Sequence, residues 1–277
     1  MDRPRLPPTE LEALLAARPK DVADAIRRTV ADLRPCVHVE SARASGTPIR
    51  GRFIHRILGR PAPKSVLSVL TSKFGGAPYC EKTGELEGGQ FLGQINFSEV
   101  TAALNSQRAE LPDGMPTAGL FAMDRTSKGF RVRWYPNPRA ELAVDAGQRQ
   151  AIAKYEAAMT VQGSWSLRGL DWFAAVPKDD QELWTCMNEL DVRGVDRDSR
   201  YGHKLFGHPN EILSQHESFV HQAGGSTSIR DYALIWRVSF DNQAGFDWGT
   251  HWIYALIEKQ YLERGELNRA VVAIENA

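Results

Sequence analysis

The sequence predicts an α+β fold: a central, mostly antiparallel sheet with flanking helices and a helical N-terminal section. The section spans residues 1–35, ahead of one α+β domain over residues 36–277. Three observations carry this. Apolar residues recur at helical spacing near the start. Runs of alternating or β-branched residues, separated by Gly and Pro, fill the middle and the end. The regular strand–helix alternation of a doubly wound sheet is missing.

The helical section opens at Thr9, which begins a capping box with Glu12, and Asp21 is a second N-cap candidate. After it Val22, Ile26, Val30 and Leu33 make one apolar stripe, which Pro35 is expected to stop. The period then changes. Cys36–Glu40, Arg52–Ile57, Gln90–Phe97, Gly119–Met123 and Phe130–Tyr135 read as strands. Arg131-Val132-Arg133-Trp134 alternates as a half-buried antiparallel strand does. A helix is expected over Ala146–Thr160, with Ile152, Tyr155 and Met159 on one side, and a strand over Trp165–Ala175. A short helix follows over Asp180–Leu190. Tyr232–Phe240, His251–Ile257 and Ala270–Ile274 complete the strands.

Composition narrows the function classes. At 277 residues, with 42% hydrophobic and 25% charged, the chain can build a sizeable core. The 34 basic residues balance 34 acidic ones, which argues against general nucleic-acid binding and against a polybasic membrane surface. Cys36, Cys80 and Cys186 stand apart without CxxC spacing, as expected in a reducing compartment. No apolar run has the length of a signal peptide or a membrane span, so the expected location is cytoplasmic.

Several motifs stand out. Lys73-Phe74-Gly75-Gly76-Ala77-Pro78 joins a cation to consecutive glycines, which suit either a small anion-binding nest or a tight turn. In Gln94-Ile95-Asn96-Phe97 the two amides project on one face of a strand. Amides do not titrate near neutrality, so they suit recognition or an internal hydrogen-bond network, not proton transfer. Further along come His203-Lys204-Leu205-Phe206-Gly207-His208-Pro209 and Asp247-Trp248-Gly249-Thr250-His251-Trp252.

In this order the blocks resemble the YwqG-like family of bacterial proteins. The similarity runs from about Cys36 to the C-terminus and includes Gly119-Leu120-Phe121 and Leu234-Ile235-Trp236-Arg237-Val238. Thr250 stands where the family usually has aspartate, and Arg237 where it often has glutamine. The resemblance implies an α+β fold around an antiparallel sheet and no established reaction. The company some members keep with secreted toxins implies immunity or partner binding.

The binding candidates are therefore Lys73, Gly75, Gly76, Gln94, Asn96, His203, Lys204, Asp247 and Trp248. No catalytic set is complete: there is no GxSxG, no Walker motif and no GxGxxG, and no cofactor is expected. His203 and His208 lack the helical spacing of a metal site. Arg43, Arg50, Arg52, Arg56 and Arg60 form a basic cluster suited to a solvated face or an acidic partner. The leading expectation is a non-catalytic binding protein with a protein partner, of the kind that neutralises a toxin domain. The alternative is a small-molecule hydrolase or transferase using His203 or His251 with Asp247.

Overall fold

The computed structural model describes residues 12–13, 15–16, 18–31, 34–44, 46, 65–82, 85, 87–144, 151–166, 195–196, 202–208, 231–246 and 251–276. Its frame is one eleven-stranded sheet. The strands are β1 (Arg34–Arg43), β2 (Lys73–Phe74), β3 (Gly89–Asn96), β4 (Leu120–Thr126), β5 (Gly129–Tyr135) and β6 (Ala157–Ser166). They continue with β7 (Val195–Asp196), β8 (His203–Phe206), β9 (Tyr232–Val238), β10 (His251–Glu258) and β11 (Val271–Asn276).

The order across the sheet is β11-β10-β9-β8-β1-β6-β2-β3-β4-β5, and β7 lies off this path on β6. Among the described residues every pairing along the path is antiparallel, and β7 pairs parallel to β6. The two ends, β11 and β5, come within 8 Å between Cα atoms. The sheet thus curls into a nearly closed barrel. Ten alternating strands bring β5 round antiparallel to β11, the arrangement that closure requires.

Alternation decides which side chains face inward. Val132 and Trp134 of β5 pack against the main core with Phe121 and Met123 of β4. Arg131 and Arg133 point the other way, toward the fully buried Asp124. Arg133 grips that carboxylate with two bonds, Nε to Oδ2 at 2.7 Å and Nη2 to Oδ1 at 3.0 Å. Inside the barrel, Trp236 of β9 stacks on Phe74 of β2 at 5.7 Å. Gly93 permits this contact, because a Cβ there would stand 2.8 Å from the Phe74 ring and 3.1 Å from that of Trp236.

These findings correct the α+β expectation. Among the described residues the helices are α1 (Lys20–Ala31), α2 (Phe97–Ser106) and α3 (Lys259–Glu263), of 12, 10 and 5 residues. They are too short and too few to balance eleven strands in one sheet. Nor does a helical N-terminal section stand apart. The chain passes from α1 into β1, which runs between β6 and β8 in the middle of the sheet. Pro35 does not stop a helix but sits inside β1. There it faces Trp165 of β6, one residue before the pairing with β8 begins at Cys36. Its missing N–H is tolerated at such a place.

The helix expected over Ala146–Thr160 is also overturned where it is described. Ala157–Ser166 is strand, joined to β1 over ten consecutive residue pairs. The alanines favour helix weakly, and a ladder of that length outweighs the preference. Residues 145–150, the strand expected over Arg52–Ile57 and the helix expected over Asp180–Leu190 lie outside the described residues. Asp21 lies in the first turn of α1, which begins at Lys20. Glu12 is bound by Arg27 at 2.7 Å and 3.0 Å, while Thr9 is outside the described residues. Among the described residues no helix is long and apolar enough to cross a membrane.

Candidate functional site

The first group of candidate residues lies together where β2, β3 and β6 meet. Lys73 opposes Gln94 of β3 on one side and Ala158 of β6 on the other. Gly75 and Gly76 follow β2 with φ of 63° and 74°, a turn that glycine adopts without strain. Gly76 has a second reason to be glycine: its Cβ would collide with the Glu156 carboxylate, which lies against this backbone. Glu156 is itself 3% exposed.

These groups converge on residues 65–72, an irregular segment that crosses the sheet. Glu156 accepts from the Val66 N–H at 2.8 Å, the Leu67 N–H at 3.3 Å and the Ser65 hydroxyl at 2.5 Å. Lys73 Nζ donates to the Ser68 carbonyl at 2.7 Å and approaches that of Leu67 at 3.5 Å. Gln94 Nε2 donates to Val69 O at 2.6 Å and to Thr71 O at 3.0 Å. Its Oε1 accepts from the Tyr79 N–H at 3.0 Å. Asn96 Nδ2 donates to Leu70 O at 2.8 Å, while its Oδ1 caps α2 through the Ser98 N–H at 3.0 Å. Glu99 Oε2 accepts from the Ser72 N–H at 2.7 Å.

The amide face expected from the spacing of Gln94 and Asn96 therefore exists, and the protein's own main chain fills it. Lys73 is fully buried, and its Nζ stands 3.8 Å from Glu156 Oε1. Burial pushes the Lys73 pKa down to about 8, against the pull of the Glu156 charge.

His203 forms a second centre. Its Nε2 lies 2.9 Å from Asp241 Oδ2, and the Ser239 N–H faces its Nδ1 at 3.2 Å. That N–H makes Nδ1 the acceptor, so Nε2–H is the donor to Asp241 and the ring is neutral. Phe74 packs on the ring at 4.6 Å. Burial pushes the His203 pKa below its ordinary value, although Asp241 pulls the other way. Burial alone would raise Asp241. Bonds from His203, from the Ser41 side chain and from the Ala244 amide more than offset it, so its pKa falls below the usual carboxylate value. Its Oδ1 also accepts from the Gln243 N–H at 2.7 Å, closing a turn that ends at Gly245 with φ of 70°. Both His203 and Asp241 are 5% exposed.

Lys204 is buried and faces Arg237 across β8 and β9, with its Nζ 3.2 Å from Ser166 Oγ. The His208 N–H donates to the same hydroxyl at 3.1 Å. Asp247 and Trp248 lie outside the described residues, as do Arg50, Arg52, Arg56, Arg60 and Cys186. Cys36 and Cys80 are buried. Glu85 accepts from the Tyr135 hydroxyl at 2.5 Å. Among the described residues no three His, Cys, Asp or Glu side chains gather as they would around a metal ion. Arg43 is exposed, and its guanidinium lies 3.7 Å above the Tyr155 ring, with Lys154 Nζ 5.2 Å from the same ring.

Residues 72–275 match the model of the family described as Domain of unknown function (DUF1963). The match covers more than half of the chain. The chain belongs to the DUF1963 family. The DUF1963 region takes in Lys73, Gln94, Asn96, Glu156, His203 and Asp241. It begins after the 65–71 segment and after β1. No curated protein matches the chain at a significant level.

Glu156 and Asp241 are the two acids that the motifs did not point to. Asp241-Asn242-Gln243-Ala244-Gly245 carries the mark of an Asx turn, with aspartate leading and glycine at the end. Glu156 left a fainter trace, one acid between Tyr155 and the apolar run Ala157-Ala158-Met159.

Proposed function

We propose that this DUF1963 member is a cytoplasmic, non-catalytic binding protein of the YwqG-like type, whose partner is another protein. The specific role we propose is neutralisation of a toxin domain. The observation that carries this reading is how Lys73, Gln94, Asn96, Glu156 and His203 are used. Gln94, Asn96 and Glu156 bind the protein's own main chain, and Lys73 donates to it. His203 has both ring nitrogens engaged beneath a sealed surface, so it holds β8 to the Asp241 turn.

Recognition then falls to groups that reach solvent. Arg43, Tyr155 and Lys154 offer a stacked cation–aromatic surface beside the 242–245 turn, where Arg43 also donates to Asn242 O and Gln243 O. Arginine and tyrosine are the residue types that most often dominate protein interfaces.

The test is capture of a stoichiometric partner from the native host, followed by reconstitution from purified components. An excess of the partner should raise the melting temperature, since binding to the folded state stabilises it. Arg43→Ala and Tyr155→Ala should weaken the complex at least tenfold. Failure to recover any stoichiometric partner, or turnover of a compound that His203→Gln abolishes, would overturn the reading.

A further inference from the structure

We propose that Lys73, Gln94, Asn96 and Glu156 form a binding groove for peptide main chain, in which the protein's own 65–71 strap is a resident occupant. A segment of a protein partner that adopts the strap's turned path takes the groove by displacing it. The inference rests on the binding role proposed above and adds to its Arg43–Tyr155 surface a second site, opened when the strap leaves, for partner main chain.

The groove reads the strap through its backbone. Five consecutive carbonyls, from Leu67 to Thr71, are met by Lys73, Gln94 and Asn96. Two consecutive N–H groups, of Val66 and Leu67, are met by Glu156. Loops more often satisfy such groups with their own turns or with water. The strap has one turn of its own, from the Thr71 N–H to the Ser68 carbonyl at 3.2 Å, and side chains of Lys73, Gln94, Asn96 and Glu156 supply the further bonds that hold its main chain. Donors at one end and the Glu156 acceptor at the other fix the direction of the bound chain.

Two of the strap's seven residues are open to solvent, and the other five are partly buried. Val66 is 63% exposed and Ser68 is exposed. Val69 and Leu70 are partly buried against the Tyr79–Phe91 cluster, and the Ser65 hydroxyl binds Glu156. The fitting ligand is therefore an uncharged, turn-forming segment with two adjacent apolar residues and a hydroxyl four residues before them. Lys73 and Glu156 are buried and ionisable, so an empty groove would be costly. The process is an exchange of one main chain for another.

The experiment uses the full chain and a labelled synthetic peptide with the sequence of residues 65–72. In one variant, residues 66–70 are replaced by glycine and serine to loosen the strap. The peptide should bind this variant one to one, at least tenfold tighter than it binds the unaltered protein. Methylating the peptide nitrogens equivalent to Val66 and Leu67 should remove at least tenfold of that affinity. Equal binding by the methylated peptide, or no binding to a folded loosened variant, overturns the proposal.

Should that variant not fold, the unaltered protein answers. Millimolar peptide should speed hydrogen exchange at the Val66 and Leu67 amides, and unchanged exchange counts against displacement. A partner that binds while the strap stays protected would sink the groove and leave the binding role standing. Peptide exchange without any host partner would do the reverse.

Discussion

Replacing Glu156 by glutamine should be among the most damaging conservative changes in this protein. The carboxylate accepts three bonds from the 65–67 segment and faces Lys73 Nζ at 3.8 Å. Glutamine keeps one oxygen and nearly the same shape. Its amide group turns a donor toward the Ser65 and Leu67 donors, or toward Val66 if it flips. A hydrogen bond to a charged group contributes roughly 1.5–3 kcal/mol. Removing one member of a buried ion pair costs about 3–5 kcal/mol, because the other charge is left uncompensated. The two effects overlap, so the expected loss is about 3–4 kcal/mol, read by urea unfolding at pH 7.

Lys73→Met in the Glu156→Gln background removes the stranded cation. The double variant should recover about 1–2 kcal/mol relative to the sum of the single changes. A loss below about 1 kcal/mol for Glu156→Gln, or strict additivity in the double variant, would refute the reasoning.

Other outcomes follow from the same geometry. Lys73 has a folded pKa of about 8 against 10.5 for the free side chain, so the unfolded chain holds its proton longer as pH rises. Stability from this group is lowest below about pH 8 and climbs toward 10.5, by roughly 3 kcal/mol. Cys80 and Tyr135 are both raised by burial and act in the opposite sense, so the climb is read as the difference between the unaltered protein and Lys73→Met. For His203 the folded pKa lies below the unfolded value of 6.5. Stability should be full above about 6.5 and fall as pH drops from there, and His203→Gln should flatten that limb of the unfolding curve. Gly76→Ala should destabilise by about 2 kcal/mol or more, from φ of 74° and from collision with Glu156. A change within experimental error would show that Glu156 does not press on this backbone.

The residues explain which parts of this architecture could be read in advance. β5 was legible because Arg131-Val132-Arg133-Trp134 alternates and both faces meet different partners, Asp124 on one side and the core on the other. β9 was legible as an apolar run too short for a helix. β6 was not, because Ala157, Ala158 and Met159 fit either period. Its conformation is decided by β1, more than a hundred residues earlier in the chain. The same long-range pairing hid the true place of β1, whose Pro35 read as a terminator. At the site, the common face of Gln94 and Asn96 followed from strand geometry alone. What filled it did not, since the 65–71 segment has no periodicity and Glu156 comes from a strand end sixty residues further on. Likewise His203 is legible from its motif, while Asp241, the acid that bonds it, sits inside a turn to which no motif points, and Asp247 lies outside the described residues.

Native-state hydrogen exchange at the Val66 amide tests most directly whether the buried polar side chains around β2 hold the protein's own main chain. Val66 is 63% exposed, so its N–H should exchange freely unless Glu156 binds it. The account predicts strong protection in the unaltered protein that collapses in Glu156→Gln while the amides of β9 stay protected. Free exchange at Val66 in the unaltered protein, or equal protection in the two, would contradict it.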